Sequence, residues 1–124
     1  EIVEQTMKNG GSASKPSRLE FLPARDLWCF PKYPARTVIH PRTIDLATEL
    51  KEFIAKNESY LNEEDCWLGT WINLLSGEYY LDVATGIHDL EEARQMAFEA
   101  GCREQRSIVA LFNPKKNQTI YLPD

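Results

Sequence analysis

The chain has 124 residues, 43% of them hydrophobic and 27% charged, and a formal net charge of −5, the balance of one globular domain able to bury a core without staples. No apolar run nears the roughly 20 residues needed to cross a bilayer, and no charged-apolar-small leader opens the chain, so a soluble, cytoplasmic protein is expected. Cys29, Cys66 and Cys102 are widely spaced; they fit free thiols in a reducing compartment, and without a C-x-x-C or H-x-x-x-H pair no metal or other cofactor is expected.

Residues 1–15 contain Asn9-Gly10-Gly11-Ser12-Ala13-Ser14 and read as a flexible Gly/Ser tail, leaving residues 16–124 as a single domain. From Pro16 to Pro41 five prolines alternate with Phe21, Trp28, Phe30 and Tyr33. Proline lacks the N–H donor and restrains its predecessor to extended backbone, which excludes a long helix here. The segment 16–42 is therefore expected as an extended arm wrapped along a sheet edge. It carries Lys15, Arg18, Arg25, Lys32, Arg36 and Arg42 just within or beside it, against Glu20 and Asp26. The remainder of the chain is acidic, so the arm is either a basic face or is held to its own body by charge.

A first helix is predicted from Thr43 or Asp45 to about Lys56, with Leu46, Ala47, Leu50, Phe53 and Ile54 as its apolar stripe. The stretch 57–65 is polar and acidic and reads as a surface connection. Trp67–Asn73 and Glu78–Val83 form one predicted hairpin around Leu74-Leu75-Ser76-Gly77. A second helix starts at Asp89, where Glu92 completes a capping pattern; it buries Leu90, Ala93, Met96, Ala97 and Ala100, and Gly101 is its expected terminator. Ser107–Phe112 and Gln118–Leu122 make the second hairpin around Asn113–Asn117. The predicted fold is α+β: a small antiparallel sheet of about four strands in ββαββ order, with two helices and the proline-rich arm.

On a strand, Trp67, Gly69 and Trp71 share one face. That face is expected to be the core beneath the helix, with Tyr80 and Asp82 turned the opposite way toward solvent or a partner. The segments Trp71-Ile72-Asn73, Ser76-Gly77-Glu78, Tyr79–Val83 and Ile108–Phe112 give residues 67–122 a form that resembles small, uncharacterised hairpin-helix-hairpin domains of phage and mobile-element proteins. That resemblance implies no catalytic residues.

No phosphate loop, dinucleotide fingerprint, H-E-x-x-H or G-x-S-x-G motif occurs. The leading expectation is a non-enzymatic module that docks another protein through Arg25, Trp28, Arg36, Tyr80 and Asp82. A nucleic acid bound by Lys15, Arg18, Arg25, Lys32, Arg36 and Arg42 is the alternative, since cations neutralise phosphates and aromatics stack on bases. A small enzyme pairing His40 or His88 with a carboxylate is the third. A homodimer formed through an uncovered sheet edge stays open.

Overall fold

The computed structural model describes residues 2–9, 11–16 and 20–123. Among them run α1 (Ile2–Asn9), β1 (Gly11–Lys15), β2 (Glu20–Phe21), β3 (Trp28–Pro31), β4 (Val38–His40), α2 (Leu46–Lys56) and α3 (Glu58–Leu61). These are followed by β5 (Trp67–Ile72), β6 (Tyr79–Ile87), α4 (Leu90–Glu104), β7 (Ala110–Asn113) and β8 (Gln118–Tyr121). The strands form one antiparallel sheet in the order β2-β1-β5-β6-β3-β7-β8, with β4 also on β6. Because β5 takes one edge of β6, β3 and β4 share the other edge, β3 beside Ala84–Ile87 and β4 beside Tyr79–Leu81.

The α+β class holds, but the four-strand ββαββ sheet with two helices does not: among the described residues the sheet has seven ranks of strands and there are four α-helices. Both predicted hairpins form, as β5–β6 and β7–β8. They do not pair with each other, because β3 from the proline-rich arm lies between them, with Trp28–Pro31 along Ile87–Ala84 and Cys29 opposite Phe112. The arm is thus built into the sheet rather than wrapped along one edge, with β3 in the interior and β2 at one end. The restraint that excludes a helix from this segment also favours strand backbone, and Pro31 stands at a strand end, where a missing donor is tolerated.

The segment read as a flexible tail carries α1 and β1. Strand β1 pairs with β5 from Gly11 opposite Trp71 to Ser14 opposite Leu68. A Cβ at Gly11 would lie 2.6 Å from the Thr70 carbonyl oxygen, so glycine serves close approach here, not flexibility. Thr6 on α1 hydrogen-bonds to Thr70 and thereby ties the helix to the same strand.

Side-chain alternation divides the sheet into two unlike faces. Leu68, Ile72, Tyr79, Leu81 and Val83 pack with Leu46, Leu50, Phe53 and Leu61 of α2 and α3, and Ile2 and Val3 of α1 join them. Trp28, Phe30 and Leu111 pack on Ala93, Ala97 and Ala100 of α4, whose small side chains admit the two rings. All four helices therefore cover one face. On the other face Trp67, Gly69 and Trp71 stand opposite Ala84, Asp82 and Tyr80. Tyr80 and Asp82 are on the helix-free side, as expected, but the tryptophans of β5 are on that same side and not in the core beneath a helix. Both faces of β5 are apolar in sequence, so alternation alone could not say which one the helices would take.

Helix α4 begins as read, with the Asp89 carboxylate accepting a hydrogen bond from the Glu92 N–H at 3.0 Å. Its left-handed terminator is Gln105, at φ 57°, rather than Gly101. Gly101 is buried in the last turn, where a Cβ would sit 3.2 Å from the Arg106 carbonyl oxygen. Among the described residues, no helix is long and apolar enough to cross a membrane.

Candidate binding groove

The helix-free face is concave. Trp71 on β5 reaches Tyr121 on β8 at a ring-centroid distance of 6.1 Å, although β6, β3 and β7 lie between those strands. That contact requires strong curling, which the right-handed twist of an antiparallel sheet supplies. Trp71 also meets its cross-strand partner Tyr80 edge to face at 5.2 Å. The curl encloses a groove of about 610 Å³ whose walls include Phe21, Trp67, Trp71 and Phe112, a volume typical of ligand sites.

Among the described residues lining the groove, Asp82 is the one that is charged. Across from it, Gly69 projects no side chain, and a Cβ there would lie 3.8 Å from that of Asp82 and 3.1 Å from that of Ala84. One Asp82 oxygen accepts a hydrogen bond from the Thr37 hydroxyl at 2.7 Å. Burial pushes the Asp82 carboxyl up to about 6, against the opposing effects of the Thr37 hydrogen bond and the Arg106 charge. Arg106 donates to the Thr37 carbonyl oxygen rather than to Asp82. A smaller hollow of about 50 Å³ shares Pro31, Trp71, Asp82 and Ala110 with the groove.

Of the expected protein contacts, Asp82 lines the groove, Tyr80 is buried beside the smaller hollow, and Arg25 has its guanidinium 6.0 Å from the ring centroid of the groove residue Trp67. Trp28 is buried in the core on the far side of the sheet. Arg36 is committed internally: it donates to Asn57 Oδ1 at 2.7 Å and to the Lys56 carbonyl at 3.0 Å, and it stacks on Tyr60.

The other arm cations are engaged within the fold as well. Lys15 is buried and donates to the Leu61 and Glu63 carbonyls. Lys32 pairs with Glu63 at 2.9 Å and Asp65 at 3.0 Å, and Arg42 stacks on Tyr79 at 5.1 Å. Arg18 lies outside the described residues. Lys15, Lys32 and Arg36 thus converge on residues 56–65, Lys32 through carboxylates and the other two through carbonyl and amide oxygens. Glu63, held below the usual carboxylate range by hydrogen bonds from Lys32 and Tyr33, is the centre of that strap.

Glu63, Asp65 and Cys66 place three ligand-type atoms within 4.8 Å of one another. The Lys32 ammonium already bridges the two carboxylates, and burial pushes the Cys66 thiol up to about 11. The histidines stand apart: His40 lies 3.8 Å from Glu49, and His88 hydrogen-bonds to the Asp26 carbonyl. Neither lines the groove or the hollow. Cys29 does line the groove, with its thiol pushed up to about 12 by burial, which leaves it protonated and a poor nucleophile at neutral pH.

Sequence reasoning missed Trp71, Phe112 and Phe21 as parts of one site. The signal for Trp71 was present in its alternation with Trp67; the other two reach the groove through non-local pairing that no local pattern reports. Comparison with family models, curated proteins and solved structures finds no match to this chain.

Proposed function

We propose that the protein is a non-enzymatic interaction module whose partner protein lays a segment into the concave face of the sheet, with Tyr80 and Asp82 as contacts and Arg25 at the rim. The observation that carries this reading is a sheet face left without helices, walled by aromatic side chains and holding one carboxylate. Aromatic residues in a concave, partly desolvated setting are typical binding anchors. Trp28 and Arg36 drop out of the contact set because the fold already engages both. The proposal includes a cytoplasmic location, supported by three free cysteines, and a phage or mobile-element origin, supported by the resemblance over residues 67–122.

The test is selection from a displayed random-peptide library on immobilised protein, followed by affinity measurement for the enriched peptides. Peptides that lose at least about tenfold in affinity, some 1.4 kcal/mol, on Trp71→Ala are expected. Peptides indifferent to that substitution would move the contact elsewhere, and no enrichment at all would remove the reading. Nucleic-acid binding is checked by fluorescence anisotropy of labelled oligonucleotides at two salt concentrations. Tight, salt-sensitive binding would bring that alternative forward; its absence is expected, since Lys15, Lys32 and Arg36 are engaged within the fold.

A further inference from the structure

We infer that the groove receives an arginine side chain of the partner, its guanidinium lying against the aromatic wall beside Trp71 and paired with Asp82. This rests on the docking reading and names its chemistry. The argument is charge complementarity in a specific setting. Among the described residues that line the groove, Asp82 alone is charged, and its surroundings include Phe21, Trp67, Trp71 and Phe112. Aromatic faces attract cations, and they do so more strongly where water is displaced. A carboxylate in the wall of such a cavity repels an anionic ligand and is offset most fully by a cationic one. Arginine is preferred to lysine because a planar, weakly hydrated guanidinium can stack on an indole and hydrogen-bond in its own plane, whereas an ammonium is compact and strongly hydrated.

Asp82 has capacity for such a partner. Among the described residues it accepts one side-chain hydrogen bond, from Thr37. Gly69 on β5 leaves open the position across from it. The charged and titratable groups around the carboxylate are few. Arg106, from the link between α4 and β7, is directed at the Thr37 carbonyl, and Arg25 sits over Trp67 at the rim. The Cys29 thiol of β3 is neutral, and His40 of β4 is near Glu49. Asp82 is therefore the group in the groove whose charge changes between pH 5 and pH 7.5. A cationic ligand needs the ionised form, so binding should weaken as the pH falls through about 6.

The probe is N-acetyl-arginine amide, titrated into the intact protein while the indole N–H signals are followed by NMR. Saturable shifts of the Trp71 signal are expected at pH 7.5, with affinity about tenfold weaker at pH 5.0. N-acetyl-citrulline amide, neutral and nearly isosteric, should bind at least about tenfold more weakly than the arginine probe. So should the arginine probe to Asp82→Asn, whose folding is verified by its own spectrum. Absence of saturable shifts, equal binding of citrulline, equal binding of N-acetyl-lysine amide, an affinity flat with pH or unaltered binding to D82N would each overturn the assignment. Display-selected peptides that need Trp71 but contain no arginine would also overturn it while leaving the docking reading intact. Failure to select any such peptide strikes the docking reading itself.

Discussion

Asp82 costs the fold stability at neutral pH. Its carboxyl is raised by burial from an ordinary value of 3.8 to about 6, so between those values the folded protein holds a proton that the unfolded chain has released. Stability from this group therefore falls as pH rises through that window and is lowest once both states are ionised. The shift corresponds to about 3 kcal/mol at most. Asp82→Asn is accordingly expected to raise stability at pH 7.5 by about 1–3 kcal/mol, with little change at pH 4, read from urea denaturation at the two pH values. A residue that destabilises the resting protein while facing a cavity is better explained by what it binds than by what it supports. The sequence made Asp82 visible as an outward-facing acid on an apolar strand, but its burial comes from the curl of the sheet, which depends on pairings far from it along the chain.

Strand β3 separates what was legible from what was not. The hairpins, α2 and the Asp89 start of α4 could be read because turns, caps and helical stripes are encoded within a few residues. The insertion of β3 between the hairpins could not, because the pairing of Cys29 with Phe112 leaves no mark at either position. Strand β1 was hidden for another reason: Gly11 and its serine neighbours have linker composition, and only the nearness of Thr70 reveals why glycine is there. The two faces of the central strands predict a contrast between tryptophans. Trp28→Ala removes a buried ring from the packing against α4 and should cost about 3–5 kcal/mol. Trp71→Ala opens a half-exposed site on the groove side and should cost clearly less, while abolishing peptide binding. Paired denaturation and binding measurements on the two variants check this, and equal losses of stability would contradict the division into a core face and a binding face.

At the scale of the whole molecule, a helix layer on one side and an open concavity on the other make the protein asymmetric in protection as well as in chemistry. Strands β5, β6 and β3 each have strands on both flanks, whereas β2 and β8 stand at the ends of the sheet. Amides of these three central strands are expected to exchange hydrogen only through global unfolding, and those of β2 and β8 at least about tenfold faster through local opening. Native-state hydrogen exchange followed residue by residue reads this directly; uniform protection across the sheet would contradict it. The arm contributes to both behaviours, since it supplies an inner strand in β3 and an end strand in β2. Its cations tie it to residues 56–65, so the acidic connection and the basic arm make one structural unit despite their separation in sequence.

Asp82 borders two compartments, the large groove and the smaller hollow reached past Pro31 and Trp71. A carboxylate at the end of a blind pit would be sealed by its guest, and its proton would have to leave before the guest arrived. Here the carboxylate stands in a doorway. With the large room occupied, the small one still adjoins the acid, so one side of the carboxyl stays clear of the guest. A fall in pH can then loosen a complex that has already formed, and acidification should speed dissociation as well as weaken affinity.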